Sequence, residues 1–463
     1  MIPMIPAERR VFKGSIVVKM VVVAVLVFVL LIPLLMVGGL VGERQQRHDA
    51  VTAEVASSWG TAQTLGGPLL VVPFHTYGED DKGRVITYEH RAYFLPELLK
   101  VDGHLEPEKR SRGIFEVMLY RADLRLSGTF KRPSFTAWGI APKDVQWDQA
   151  SLAIGIPDMG GIRQGVNITW AGKVLQLSPG GTVEGVWTSG LQVPVSGLAA
   201  AAEGQTWDFG FDLVLNGSQE LRVLPFGKQT TVSLRSPWAS PSFIGKFLPE
   251  SHRVTSAGFE ATWNVPYFGR SYPQQWQGQE TEKVAPATVV AGSSFGVGLF
   301  LPVDLYQKTE RSVKYGVLFI LLTFLTFFLY EVFSPFALHP MQYLLVGAAL
   351  CLFYVLLLSI SEHAHFALAY ALASVATISL ITAYAAAILR GRLRAVGVGA
   401  ALTALYSYLY VLLQAEDYAL LLGSVGLFLI LALVMYITRR LDWYAPRGGQ
   451  STQPPPLPSV AQA

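Results

Sequence analysis

The chain has 463 residues, of which 51% are hydrophobic and only 15% charged, with a net charge of +3 and one cysteine. Charged residues make up about a quarter of an ordinary soluble domain, so the deficit points to a membrane. No basic stripe or groove-reading motif marks a nucleic-acid partner, and a single cysteine excludes an intramolecular disulfide and a cysteine-based zinc cluster.

Ile16 to Val41 is apolar apart from Lys19 and follows Arg9, Arg10 and Lys13. At 1.5 Å per residue it is long enough to cross a hydrocarbon core of about 30 Å. A cleaved signal peptide is the competing reading. Its apolar region normally runs about 7 to 15 residues and ends at an A-x-A-like site, so the length and the missing site favour a retained anchor. Pro33 is a candidate kink, which lipid-embedded helices tolerate when neighbours satisfy the freed carbonyl.

From Gly42 to Lys314 glycine, proline, tryptophan and charges appear throughout, and no apolar run is long enough to span. These about 270 residues are ample for one or two cores without disulfides. Leu124, Leu126, Gly128 and Phe130 alternate with Arg125, Ser127 and Thr129, and Trp207, Phe209, Phe211, Leu213 and Leu215 alternate with mostly polar residues. A period of two predicts half-buried strands. Asn216-Gly217 reads as a hairpin turn, and Gly66-Gly67-Pro68, Gly160-Gly161 and Pro179-Gly180-Gly181 as further turns. The expected fold is sandwich-like antiparallel sheet, with one or two sandwiches left open. Trp238 and Phe243, around the Pro-Ser-Phe-Ile-Gly segment, form either a contact surface or a buried turn, the latter being the commoner fate of aromatics.

Five further apolar runs follow, at Tyr315 to Phe333, Met341 to Ile360, Phe366 to Leu389, Ala395 to Leu413 and Tyr418 to Ile437. Each is near spanning length, and the short connections predict antiparallel neighbours in a bundle. Residues 439–463 are rich in proline, glutamine and serine and read as a disordered tail. The positive-inside rule sets Arg9, Arg10, Lys13, Lys19, Arg390, Arg392, Arg394, Arg439 and Arg440 on the cytoplasmic side, against Glu362, Glu416 and Asp417 on the other; Arg44, Arg47, Lys308, Arg311 and Lys314 on the outer flanks count against it, but a long translocated segment is weakly bound by the rule. Both termini are therefore expected in the cytoplasm and the β-rich segment outside.

Chemistry-bearing groups are few. Gly292-Ser293-Ser294-Phe295-Gly296 matches G-x-S-x-G, whose serine needs a strand-to-helix turn. Valines before it read as a strand, but Gly298 and Pro302 fall where a helix should begin. Glu362, His363 and His365 are metal-capable in one short loop, with a solvated interfacial turn as the plainer reading. Glu331, His339 and Gln342 form a second polar group near the inner ends of two helices, where Glu331 can also simply reach the interface. No Walker loop, dinucleotide fingerprint or H-E-x-x-H motif is present, and the apolar runs show neither mid-membrane charges nor matched broken helices. Small residues such as Gly347, Ala348, Ala349, Ala371, Ala373 and Ser374 offer close helix approach.

From about Val11 to Tyr444 the chain resembles the CreD family of bacterial inner-membrane proteins, described as cell-envelope integrity proteins. The resemblance rests on Pro241 to Pro249 (PSFIGKFLP) leading to Ser256-Ala257-Gly258-Phe259, on Leu338 to Gly347 (LHPMQYLLVG), on Leu358 to His363 (LSISEH) and on Asp442-Trp443-Tyr444. It implies an inner-membrane location, a periplasmic central domain and expression linked to a sensor-kinase and response-regulator pair. It implies no catalytic residues and no cofactor, and it marks His339, Pro340, Gln342, Glu362 and His363 as mutation targets. The expected protein is a non-enzymatic membrane protein supporting envelope integrity, its partners being the lipid bilayer and unidentified envelope proteins or lipids, its oligomeric state open. The alternative is a transporter or lipid-handling protein, in which Glu331, Gln342 and Glu362 would converge on a polar cavity. A serine hydrolase is the weakest reading.

Overall fold

The computed structural model describes residues 16–202, 204–299, 305–333, 338–389, 391–415 and 418–439. The expectations for residues 1–15, for the loop residues Arg390, Glu416 and Asp417, and for the tail from residue 440 lie outside these. The chain divides into two compact units, residues 1–46 with 304–463, and residues 47–303.

The second unit is built from strands β1 (Gln63–Glu79), β2 (Val85–Phe94), β3 (Leu98–Arg112), β4 (Phe115–Lys131), β5 (Ser151–Gly155), β6 (Asn167–Trp170), β7 (Lys173–Gln176), β8 (Ser178–Pro179) and β9 (Gly190–Pro194), followed by β10 (Thr206–Ser218), β11 (Glu220–Val223), β12 (Gln229–Ser236), β13 (Ser242–Gly245), β14 (Ser251–Thr255), β15 (Gly258–Pro266), β16 (Gln275–Gln277) and β17 (Phe295–Gly298). One sheet runs β13-β17-β11-β1-β5-β9-β8, with β2 also on β1 and β16 on β2; the other runs β14-β15-β12-β3-β4-β10-β6-β7. Pairing is antiparallel except at β1–β11 and β3–β12. Both sheets feed a single hydrophobic core, so the domain is one sandwich rather than two.

The alternation in β4 and β10 is realised. Trp207, Phe209, Phe211, Leu213 and Leu215 are buried, and their polar neighbours Asp208 and Asp212 face outward. Asn216-Gly217, by contrast, is no turn. The pair lies inside β10 opposite Arg121 and Tyr120, and a Cβ on Gly217 would stand 2.3 Å from the Tyr120 hydroxyl. The glycine makes room for a buried ring. Tyr120 donates to the Glu220 carbonyl at 2.8 Å, and burial pushes its phenol far above the ordinary value. The chain turns instead at Gln219, with φ 61°, and crosses there into the other sheet. Gly66-Gly67-Pro68 likewise lies within β1, at a register shift against β5. Trp238 and Phe243 are half-buried against the core, Phe243 edge-on to Phe259 and Trp263.

A helix α1 (Ile16–Trp59) runs well past the expected end at Val41; residues to Gln46 belong to the first unit and those from Arg47 to the second. Its continuation holds no glycine or proline after Gly42, and Val51, Thr52, Val55, Ala56 and Trp59 repeat at helical spacing along it. Two short helices, α2 (Thr281–Val284) and α3 (Ala287–Gly292), complete the β-rich unit.

The first unit adds α4 (Leu305–Lys314), α5 (Gly316–Val332), α6 (Pro340–Ser361), α7 (Phe366–Ile388), α8 (Arg392–Gln414) and α9 (Ala419–Thr438). By length and composition α1 and α6 to α9 are long and apolar enough to cross a membrane, and α4 with α5 forms a sixth candidate bent by 43°. Residues 305–314 thus group with the membrane helices instead of the β domain. Their pattern explains it, since Tyr306, Thr309, Ser312 and Val313 are buried along one side while Gln307, Glu310 and Lys314 are exposed.

Candidate functional site

The G-x-S-x-G stretch does not form a nucleophile elbow. Residues 287–292, read above as strand, form α3, and β17 follows them, so the order is helix then strand, the reverse of a nucleophile elbow. Ser294 is 4% exposed, its N–H donates to Ala291 O and its carbonyl accepts from Lys246 N–H. These bonds fix a turn. Gly245 packs against that turn with φ 98°, and a Cβ there would stand 2.2 Å from Ser294 O.

The membrane unit gathers its polar residues at the two ends of α6. Near the first end, Glu331 on the last turn of α5 is 7% exposed. Its Oε1 accepts from Lys19 Nζ of α1 and from Leu338 N–H at 3.2 Å, and its Oε2 accepts from the Tyr343 hydroxyl at 3.1 Å. Tyr343 in turn stands edge-on to Phe324 and Phe327, so the carboxylate sits in an apolar collar with three donors aimed at it. Such an ion is tolerable at this depth because both carboxylate oxygens withdrawn from water meet donors, one of them charged.

His339 and Gln342 do not reach this carboxylate in the bonds they make. They cap α6 reciprocally: His339 Nδ1 accepts from Met341 N–H at 3.2 Å, and Gln342 Oε1 accepts from His339 N–H at 3.0 Å. Pro340 occupies the first helical position, where its missing N–H costs nothing. The motif is therefore a helix start. His339→Ala is expected to lower thermal stability by about 1 kcal/mol and His339→Asn to leave it near the parent value, as melting in detergent will read.

At the other end of α6, Glu362 is the C-cap, its side chain only 8% exposed and its Oε1 3.6 Å from Arg44 Nε of α1. His363 is exposed, with Nδ1 at 3.2 Å from Ser359 O. Among the described residues no group of three His, Cys, Asp or Glu side chains is placed to hold a metal. Since α6 has 22 residues and rises about 1.5 Å per residue, Glu331 and Gln342 lie roughly a full hydrocarbon thickness from Glu362. They do not converge. What sequence reasoning missed is the partners. In the sequence Lys19 and Arg44 count only as topological charges, although a charge bordering an apolar span is itself a signal of a counter-ion.

The β-rich unit presents a different kind of site. The outer face of the eight-stranded sheet encloses a concavity of about 800 Å³ lined by Asp102, His104, Asp123, Arg125, Asp212 and Arg235, among others. Register aligns Thr262, Ser233, Asp102, Arg125 and Asp212 across five neighbouring strands, and Glu260, Arg235, His104 and Asp123 in the next row. Arg125 Nε donates to Asp212 at 2.9 Å. This polar face turns away from the core because alternate residues of the same strands fill it.

One amphipathic sandwich, joined to a bundle of apolar helices that carries an ion pair at each end of α6, defines a multi-pass membrane protein with a large water-facing domain inserted after its first span. A sequence model described as inner membrane protein CreD matches residues 15–444. Inner membrane protein CreD of Escherichia coli (strain K12) is 33% identical over 428 residues, covering 90% of this chain and 92% of that protein. The chain belongs to the CreD family, and its place is the inner membrane.

Proposed function

We propose that this chain is a non-enzymatic inner-membrane protein that supports cell-envelope integrity, its β-rich domain facing the periplasm and contacting envelope components through the polar face of the eight-stranded sheet. The observation that carries the reading is that face: two rows of charged and hydroxyl side chains in register across the strands, forming a concavity of about 800 Å³. Mixed charges arranged this way favour polar partners and discriminate among them by complementarity. The membrane unit supplies an anchor. Its ionisable groups at Lys19, Glu331, Arg44 and Glu362 are engaged with one another at opposite ends of α6. Lys19, Arg392, Arg394 and Arg439, all near helix ends that share one side of the apolar spans, support a cytoplasmic position for that side.

The test is photo-crosslinking in living cells from His104 and Ser233, with exposed Leu248 as the control position. Discrete adducts are expected from the two face positions, and pairing each with Asp102→Lys and Asp212→Lys should remove them. Adducts to lipid alone, or an identical pattern from Leu248, would sink the reading. A reporter fused at Gly180 should give a periplasmic signal; a cytoplasmic signal would overturn the orientation.

A further inference from the structure

The long hairpin of β1 and β2 carries an edge that the fold leaves bare. β2 pairs with β1 from Val85 to Phe94 without a break in register, and on its other side β16 covers only Ala92 to Phe94. The chain after β16 keeps to this edge a little further, where Gln279 is hydrogen-bonded to His90 and a Cβ on Gly278 would stand 3.2 Å from the Arg91 carbonyl oxygen. Among the described residues no strand pairs with the free side of Val85 to Glu89.

The opposite edge of the same hairpin is treated differently. Phe74 bridges to Val145, Gln146 N–H donates to Pro73 O at 2.9 Å, and the Tyr77 hydroxyl donates to Asp144 Oδ1 at 3.0 Å. One edge is closed off and the other is not. Native sheets blunt a free edge with proline, lysine or a bulge, because its open N–H and C=O groups otherwise accept another strand. Val85-Ile86-Thr87-Tyr88 has none of the three. The segment is nonetheless held in shape, since Asp80 Oδ1 accepts from the Lys82 and Arg84 N–H groups at 2.8 Å and closes the turn. It exposes Val85, Ile86 and Tyr88, and a two-stranded ribbon without a third strand is marginal in water.

Residues Val85 to Glu89 rise about 17 Å, an ordinary strand length, so the edge has room for one further strand. Their own sequence fits that place. Antiparallel pairing of the segment with itself, centred on the middle of the open stretch, sets Thr87 opposite Thr87, Ile86 opposite Tyr88 and Val85 opposite Glu89. Threonine pairs and pairs of an aromatic with a β-branched residue are favourable cross-strand neighbours, and within the open stretch no two like charges meet. Ile86 and Tyr88 lie on the face of buried Phe74, so the new pairs extend the apolar side of the sheet. We propose that the β2 edges of two copies of this chain pair antiparallel about Thr87, joining their β1–β2 hairpins into one four-stranded ribbon. Such an interface is isologous and closes at two copies. It uses the other sheet from the polar face, and no outcome of the crosslinking from that face bears on it.

The test uses the purified full-length chain in detergent, its mass followed by sedimentation over a range of concentrations. A reversible dimer is expected. Thr87→Lys sets an ammonium opposite its own copy and should weaken the dimer about tenfold, with the fold intact because Thr87 is exposed. Thr87→Cys should cross-link to itself under mild oxidation, since directly opposed Cα atoms stand within the span of a disulfide. Val85→Cys should not, because its two copies lie four residues out of register, roughly 13 Å apart. The parent, whose thiol at Cys351 is buried, supplies the blank. A monomer at every concentration overturns the proposal, as does a dimer that Thr87→Lys leaves as tight as the parent. So does cross-linking of Thr87→Cys no faster than that of Val85→Cys.

Discussion

Replacing Glu331 by leucine while Lys19 is kept is expected to lower the stability of the membrane unit by about 3 kcal/mol. The variant leaves an ammonium at the edge of the apolar bundle without its counter-ion and strands the Leu338 N–H and the Tyr343 hydroxyl, both of which now end on the carboxylate. The converse change, Lys19→Met, should cost at least as much. Lys19 is 30% exposed and has a flexible stem to carry its charge toward water, whereas the Glu331 side chain is only 6% exposed and has no such route. Removing both charges together, as Lys19→Met with Glu331→Leu, should recover most of the loss, since an apolar pair of similar volume has no ions to desolvate. Unfolding the four proteins of this cycle in mixed micelles gives the coupling directly. Additive losses would mean that the two side chains act independently and that α1 is not tied to α5 by charge.

The cycle also marks where the sequence stops being readable. The strands at Leu124–Phe130 and Trp207–Leu215 are legible because a strand with one buried face must alternate, and their aromatic and aliphatic residues are indeed inside. The apolar helices are legible for an equally general reason, the length needed to cross hydrocarbon. Glycines are not. Gly217 resembles a turn residue next to Asn216, yet it is there to clear the ring of Tyr120, a residue on the neighbouring strand. The extension of α1 to Trp59 and the grouping of α4 with the membrane helices escape an apolar-run criterion because both segments are amphipathic and rich in charge. At the polar site, the motif around His339 and Gln342 is local and its capping chemistry can be read from neighbours, but Lys19 and Glu331 stand 312 positions apart. Nothing periodic links them. The register of the polar face on the eight-stranded sheet is hidden in the same way, since Ser233 meets Asp102 only through a parallel pairing between distant segments.

The contact between α1 and α6 supplies the second large effect. Leu30 of α1 is 2% exposed, and a Cβ on Gly347 would stand 2.0 Å from its Cδ1 and 3.1 Å from Phe324. Gly316 meets Leu34 in the same manner at 2.7 Å, so α1 lays Leu30 and Leu34, one turn apart, onto glycines of two other helices. Close approach of this kind is how apolar helices gain packing where lipid gives no hydrophobic drive. Gly347→Ala forces Leu30 to shift in a packed interior, at a cost of about 1–3 kcal/mol. Gly347→Leu leaves no room for that shift and should separate α1 from α6. The chain carries its own reporter of the event. Cys351 lies one turn beyond Gly347, is 5% exposed, and its S–H donates to the Leu30 carbonyl at 3.8 Å, so it is shielded while α1 is seated. In detergent, maleimide labelling of this single thiol is expected to be slow in the parent and about tenfold faster in Gly347→Leu. Adding Leu30→Ala removes the obstructing side chain and should return labelling to the slow rate. Slow labelling of Gly347→Leu would show that the seat of α1 lies elsewhere; fast labelling that Leu30→Ala fails to reverse would show that the bundle as a whole, rather than this contact, had given way.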